Sequence, residues 1–180
     1  MKKQSIKAVL VLTILCAVVA AILGTANYFT AAKIAENAEK TRTEARSAVL
    51  PDGEYTFRET DISALGDSSV TAAWEAQKNG ETVYYVFQME TKGYATGLVL
   101  MCGVDKDGKI TGTKTVSSSE TPSLGGKTDR DAYRKQYVGL AGGQLGQVDG
   151  IAGATKTSEA YRNAVSDALN AFGILTGGEN

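Results

Sequence analysis

The chain has 180 residues, enough for one domain with a substantial core and too few for two of ordinary size. Its 19 Lys and Arg against 20 Asp and Glu leave a net charge of -1, which argues against a dedicated nucleic-acid binder, whose surface carries a basic surplus. Histidine is absent, so Ser-His-Asp and Cys-His nucleophile systems and His-ligated zinc, copper or haem are excluded. The two cysteines, Cys16 and Cys102, are too few for a four-cysteine zinc or iron–sulfur site. No catalytic set and no metal site is read from the chain. Redox chemistry, if present, would come from an organic cofactor.

Residues 8–32 carry no charge and include the run AVLVLTILCAVVAAIL. A bilayer span needs about 20 such residues. Lys2, Lys3 and Lys7 precede the run, while Lys33 and Glu36 after it offset each other. The positive-inside rule then predicts a cytoplasmic segment at 1–7, a transmembrane helix at 8–29, a helical stalk and connector at 30–70, and an extracytoplasmic domain at 71–180. A cleaved signal peptide would have an apolar region of only about 7–15 residues and a small-x-small cleavage site. A lipoprotein would use Cys16, but the bulky Leu15 precedes it. A pilin-like protein would need a processing glycine before the run and a glutamate near its start, and neither is present.

Residues 33–49 read as a continuing helix, with Ile34, Ala38, Ala45 and Val49 near one face, stopped by Leu50-Pro51-Asp52-Gly53. Period-two segments follow at 71–77 and 82–90 around Asn79-Gly80, a strong hairpin signal. A second hairpin is predicted from strands at 94–104 and 109–117 around Asp105-Lys106-Asp107-Gly108. Trp74, Tyr84 and Tyr85 lie at strand spacing and read as core. Residues 129–137 read as a short helix and 140–147 as a Gly-rich loop. The last helix is predicted over 158–172, with Gly173 as its stop. The fold class is α+β: an antiparallel sheet with flanking helices behind a single apolar helix and stalk.

The stretch 149–158, DGIAGATKTS, crowds small residues at the entry to that last helix. Small side chains let a bulky group approach the backbone. The first free N–H groups and the helix dipole favour an anion there, which suits a phosphate with the Thr155 hydroxyl in its mouth. A plain N-cap by Thr157 or Ser158, with Glu159 in the first turn, explains the same residues. The two readings are compatible.

Residues 149–155 resemble the flavinylation signature of FMN-binding domains, Asp-x-x-Ser/Thr-Gly-Ala-Thr/Ser, at Asp149, Gly153, Ala154 and Thr155, with Ala152 where the family has a hydroxyl. Residues 120–125 resemble the same family's Glu-Thr-Pro-Gly-Leu-Gly loop, with Ser123 in place of its first glycine. The Rnf complex G subunit and the sodium-pumping quinone reductase C subunit are the best-known members, and the length is more similar to the former. The resemblance implies FMN esterified through its phosphate to Thr155. Gly153, Ala154 and the N–H groups of Lys156 and Thr157 would then hold the phosphate; the Lys156 side chain could add charge there, and it reads more readily as a solvated surface lysine. Glu120, Thr121, Leu124 and Gly125 would face the isoalloxazine. Asp149 would belong to the sequence recognised by a magnesium-dependent flavin transferase, which uses FAD and releases AMP. Glu120 reads equally well as a turn-capping carboxylate.

The implied function is a membrane-anchored electron carrier in an ion-translocating ferredoxin:NAD+ oxidoreductase complex of the Rnf type, partnered by that complex's other membrane proteins. Two alternatives stay open. One is a free-standing extracytoplasmic flavoprotein or a protein like the C subunit of the quinone reductase. The other is a structural or interaction domain that carries no flavin.

Overall fold

The computed structural model describes residues 2–177. Helix α1 spans Lys2–Ala48, and the chain divides into two compact units between Thr41 and Arg42. In the first unit the apolar side chains, among them Val9, Leu12, Leu15, Ile22 and Leu23, are exposed. A stretch of 18 residues there reaches a mean hydropathy of 2.8 with none of it buried. A helix that is apolar all round, with no packed face, is stable in an apolar surrounding. By length and composition this one can cross a membrane. Its hydroxyls fit that setting. Thr13, Thr25 and Thr30 donate to the carbonyls of Val9, Ala21 and Ala26 at 2.9, 2.7 and 3.0 Å, so these hydroxyls have partners within the helix.

The second unit is built on an antiparallel sheet in the order β1-β2-β3-β4-β5: Thr56–Thr60, Val70–Lys78, Glu81–Thr91, Leu98–Asp105 and Ile110–Ser117. β1 falls in the stretch 30–70 that the sequence reading gave to a stalk and connector, so the sheet begins before residue 71. Asn79 (φ 54°) and Gly80 (φ 83°) both take the left-handed conformation, as a two-residue hairpin turn with the right twist requires. In the second hairpin Asp105 Oδ1 accepts from the Asp107 and Lys109 amides at 2.9 Å each.

Several boundaries differ from the sequence reading. β4 starts at Leu98 rather than residue 94, leaving 93–97 as a loop between β3 and β4. Residues 142–147, expected as loop, form a 3-10 turn. The 129–137 segment is α2 (Asp131–Arg134) continued by a 3-10 turn, and helix α3 runs Thr155–Thr176, longer at both ends than expected. Gly173 lies inside α3. The helix instead ends at Gly177, whose left-handed φ of 69° lets its N–H reach the Gly173 carbonyl.

Both faces of the sheet are covered. On one, Phe87, Met89, Leu100 and Val104 pack with Tyr161 and Val165 of α3. On the other, Ala76, Val86 and Met101 pack with Ala45, Val49 and Leu50 from the end of α1 and just beyond. Burying each such large side chain stabilises by about 1.5–3 kcal/mol. Arg46 stacks over Trp74, 4.0 Å from the ring centroid. The Thr111 hydroxyl donates to the Val49 carbonyl at 2.7 Å. This close approach depends on Gly103 and Gly112, partners across β4 and β5. A methyl group at Gly112 would lie 2.9 Å from the Val49 oxygen, and one at Gly103 only 2.5 Å away.

Candidate functional site

Helix α3 begins in an unusual way. Its N-cap is Ala154, which offers no side-chain acceptor, so neither Thr157 nor Ser158 caps the helix. Thr155, Lys156 and Thr157 are its first three residues, and their N–H groups have no intrahelical carbonyl to meet. The Ser158 N–H is the first to find one, donating to Ala154 O at 3.0 Å. No acidic residue stands in the first turn, because Glu159 falls one residue beyond it. The positive end of the helix dipole is therefore not compensated from within the helix's own first turn; the carboxylate packed nearest to it is that of Glu120, which lies against Thr157.

Ser158 has a different task from the expected one. Its hydroxyl accepts from the Ile151 N–H at 2.9 Å and donates to Ala154 O at 3.1 Å. It thereby holds the small-residue loop 151–154 against the helix. Gly153 takes φ 80°, a conformation that favours glycine. Thr155 and Lys156 are exposed while Ala154 and Thr157 are buried, so the Thr155 hydroxyl stands at the surface on a fixed backbone. Below, Tyr133, Tyr137 and Tyr161 meet ring to ring at 5.4–5.7 Å, and the Tyr133 and Tyr137 hydroxyls lie 3.1 Å apart. Burial pushes the Tyr137 and Tyr161 hydroxyls up from their ordinary range, so both stay protonated.

The second motif folds against the first. The Thr121 carbonyl accepts from the Leu124 and Gly126 amides at 3.0 Å each, and the Thr128 hydroxyl donates to Gly125 O at 2.8 Å. Leu124 is 45% exposed, and a methyl group at Gly153 would sit 3.6 Å from its Cδ2. The Glu120 carboxylate turns inward. Its Oε1 accepts from the Ala95 amide at 3.0 Å. Side chains at Gly93 or Gly125 would run into this carboxylate and into Thr157, so both positions need glycine for close approach.

Together these pieces line a cleft of 590 Å³. Of the sequence-predicted residues, Glu120, Thr121, Leu124, Gly125, Gly153, Ala154, Thr155, Lys156 and Thr157 all lie on it. Asp149 does not. It is exposed beside a separate shallow depression with Lys127, Arg130 and Gln136, and its N–H donates to Gln136 Oε1 at 2.9 Å. Tyr94 lines the cleft, and the sequence reading had placed it in a strand. Trp74, Tyr84 and Tyr85 do not line it: Trp74 and Tyr84 pack on the α1 side of the sheet, and Tyr85 packs edge-on against Phe172. A larger cleft of 1100 Å³ lies around Tyr85, Lys106 and the C-terminal half of α3, and it holds none of the motif residues.

The cleft suits an anion joined to a flat apolar body. The free N–H groups and Lys156 offer it donors, while Leu124 and Tyr94 offer apolar surface. The size is ordinary for a cofactor site, which spans roughly 300–1,000 Å³.

The chain has relatives among known proteins. Residues 93–170 match the FMN-binding domain family. The chain is 32% identical over 115 residues to the G subunit of the proton-translocating ferredoxin:NAD(+) oxidoreductase complex of Clostridium ljungdahlii. That alignment covers 59% of this chain and 62% of the relative. It is 28% identical over 189 residues to the G subunit of the Na(+)-translocating ferredoxin:NAD(+) oxidoreductase complex of Acetobacterium woodii, covering 93% and 91%. The fold is similar to the crystal structure of the C subunit of Na(+)-translocating NADH-quinone reductase from Parabacteroides distasonis. The TM-score is 0.55 at 19% identity, over 81% of this chain and 94% of that one. The part of the chain that holds the cleft thus matches the FMN-binding domain family, within a chain similar to the G subunits of ion-translocating oxidoreductase complexes.

Proposed function

We propose that this chain is the membrane-anchored electron-transfer component of an ion-translocating ferredoxin:NAD+ oxidoreductase complex, carrying FMN through a phosphoester to Thr155 Oγ1. The observation that carries the reading is the placement of Thr155. Its exposed hydroxyl stands at the first position of α3, beside unpaired N–H groups and on the cleft formed by both motifs. The cleft fits the cofactor. The Thr155, Lys156 and Thr157 amides would hold the phosphate, Gly153 would let it approach the backbone, and Leu124 would meet the ring. Bound FMN supplies one- and two-electron transfer. The chain's own part is to hold the ring at the surface, within reach of a partner.

A threonine hydroxyl is a weak nucleophile without an activating base, and this chain has no histidine to serve as one. The similarity to FMN-binding domains implies that a separate magnesium-dependent flavin transferase makes the attachment. In that step the Thr155 oxygen would bond to the FMN phosphorus of FAD, the pyrophosphate bond would break, AMP would leave and the hydroxyl proton would pass to the transferase. The exposed position of Asp149, outside the cleft, supports a role in recognition by that enzyme. The lysines before the apolar run support a cytoplasmic N-terminus and an extracytoplasmic domain. Outside the cell a tethered cofactor cannot be lost by dissociation.

Full-length protein from a host with the transferase should show a fluorescent band on a denaturing gel under ultraviolet light. Thr155→Ala should abolish the band and Thr155→Ser should keep it. A dark wild-type band, or fluorescence in Thr155→Ala, overturns the assignment. Co-purification with several multi-span membrane proteins would favour the complex over a free-standing carrier.

A further inference from the structure

We propose that Tyr94 is the ring-holding aromatic of the cleft, its phenol lying against the planar ring of the bound flavin. This rests on the FMN reading above and adds a residue that neither motif contains. Among the described residues of the second unit, four large apolar side chains are strongly exposed: Tyr94, Leu124, Val138 and Ile174. Two of them, Tyr94 and Leu124, line the same cleft, and Tyr94 is 80% exposed. The other tyrosines of this unit are buried or half-buried, so leaving this ring in water is particular to this position.

The backbone beneath Tyr94 is held on both sides. On one side Gly93 sits against Thr157 of α3 and the Glu120 carboxylate, so closely that a side chain there would collide with both. On the other the Ala95 amide donates to Glu120 Oε1 at 3.0 Å. A free side chain on a pinned backbone is a ready-made stacking surface, because little backbone order has to be gained when the ligand arrives. The ligand class follows from the chemistry around it. A phosphate at the α3 N-terminus, joined to a flat heteroaromatic body, places that body where an aromatic face and Leu124 can meet it.

Flavin fluorescence reads this contact directly. An excited flavin takes an electron from a phenol in van der Waals contact and returns it without emitting light. The experiment uses full-length flavinylated protein in detergent and compares wild type with Tyr94→Leu, Tyr94→Phe and the control Tyr85→Phe. Gel fluorescence under denaturing conditions reports covalent loading, and native-state fluorescence reports the contact. Wild type should brighten several-fold on unfolding. Tyr94→Leu and Tyr94→Phe should load equally and be several-fold brighter than wild type when native. Tyr85→Phe should match wild type. Loss of loading in Tyr94→Leu but not in Tyr94→Phe also supports a ring contact. Equal loading with unchanged native fluorescence overturns the proposal, as does loss of loading in both Tyr94 variants. A dark wild-type gel band removes the FMN reading itself, which is a distinct result.

Discussion

The Glu120 carboxylate and the Ala95 amide, on loops separated by two strands, are joined by a 3.0 Å hydrogen bond. It ties the 93–97 loop to the 120–125 loop across the mouth of the cleft. Glu120→Ala would leave the half-buried Ala95 N–H without its acceptor, at a cost of about 1–3 kcal/mol. Glu120→Gln keeps an acceptor oxygen in place and should retain most of the stability. Hydrogen exchange at residues 92–97 checks this. Exchange should accelerate by about tenfold or more in Glu120→Ala, for each ~1.4 kcal/mol lost locally, and change little in Glu120→Gln.

Gly103 and Gly112 admit the Val49 carbonyl onto the sheet. Gly112→Ala would put a methyl group 2.9 Å from that oxygen, backbone against backbone-borne carbon, with little freedom to yield. Overpacking of this kind costs about 1–3 kcal/mol. Gly142 has open space around it, so Gly142→Ala should stay within about 0.5 kcal/mol of wild type. Urea midpoints of the detergent-solubilised protein should separate the two variants.

Gly153 holds the turn before α3 at φ 80°. Gly153→Ala meets no steric barrier, since Leu124 Cδ2 would be an ordinary 3.6 Å away, but the backbone conformation itself would cost about 1–3 kcal/mol. The loop should shift from its position beside Thr155. The expected result is a weaker flavin band on a denaturing gel at equal protein loading.

Cys102 is wholly buried, and burial pushes its thiol from 9.0 up to about 12. In the unfolded chain it ionises near 9, so between about pH 9 and 12 the unfolded form binds fewer protons than the folded one. Stability should therefore be intact below this window and fall as pH rises through it. Cys102→Ala should flatten that part of the alkaline decline in pH-dependent unfolding. At neutral pH the native Cys102 thiol should resist a thiol-alkylating reagent until the protein is unfolded.

Much of the molecule was legible in the sequence because its signals are local. The apolar run, Asn79-Gly80 and the Asp105 to Gly108 turn announce their conformations through the chemistry of adjacent residues. The start of α3 was less legible. Ser158 looked like a cap, and only the fold shows its hydroxyl spent on the Ile151 amide while the helix begins three residues earlier. β1 was missed because TFRET, a five-residue edge strand, has no strict alternation of its own and is defined by its pairing with β2.

By itself the sequence determined the apolar anchor, the hairpins and the two motifs, since each depends on neighbours along the chain. The tertiary structure decided which residues share the cleft. It brought Leu124 to Gly153 and Tyr94 to the mouth, and it left Asp149 outside. It also explained Gly93, Gly103, Gly112 and Gly125, whose missing side chains matter only because distant backbone or side chains press against them. Such close approaches are set by packing between segments remote in sequence, and no local pattern records them.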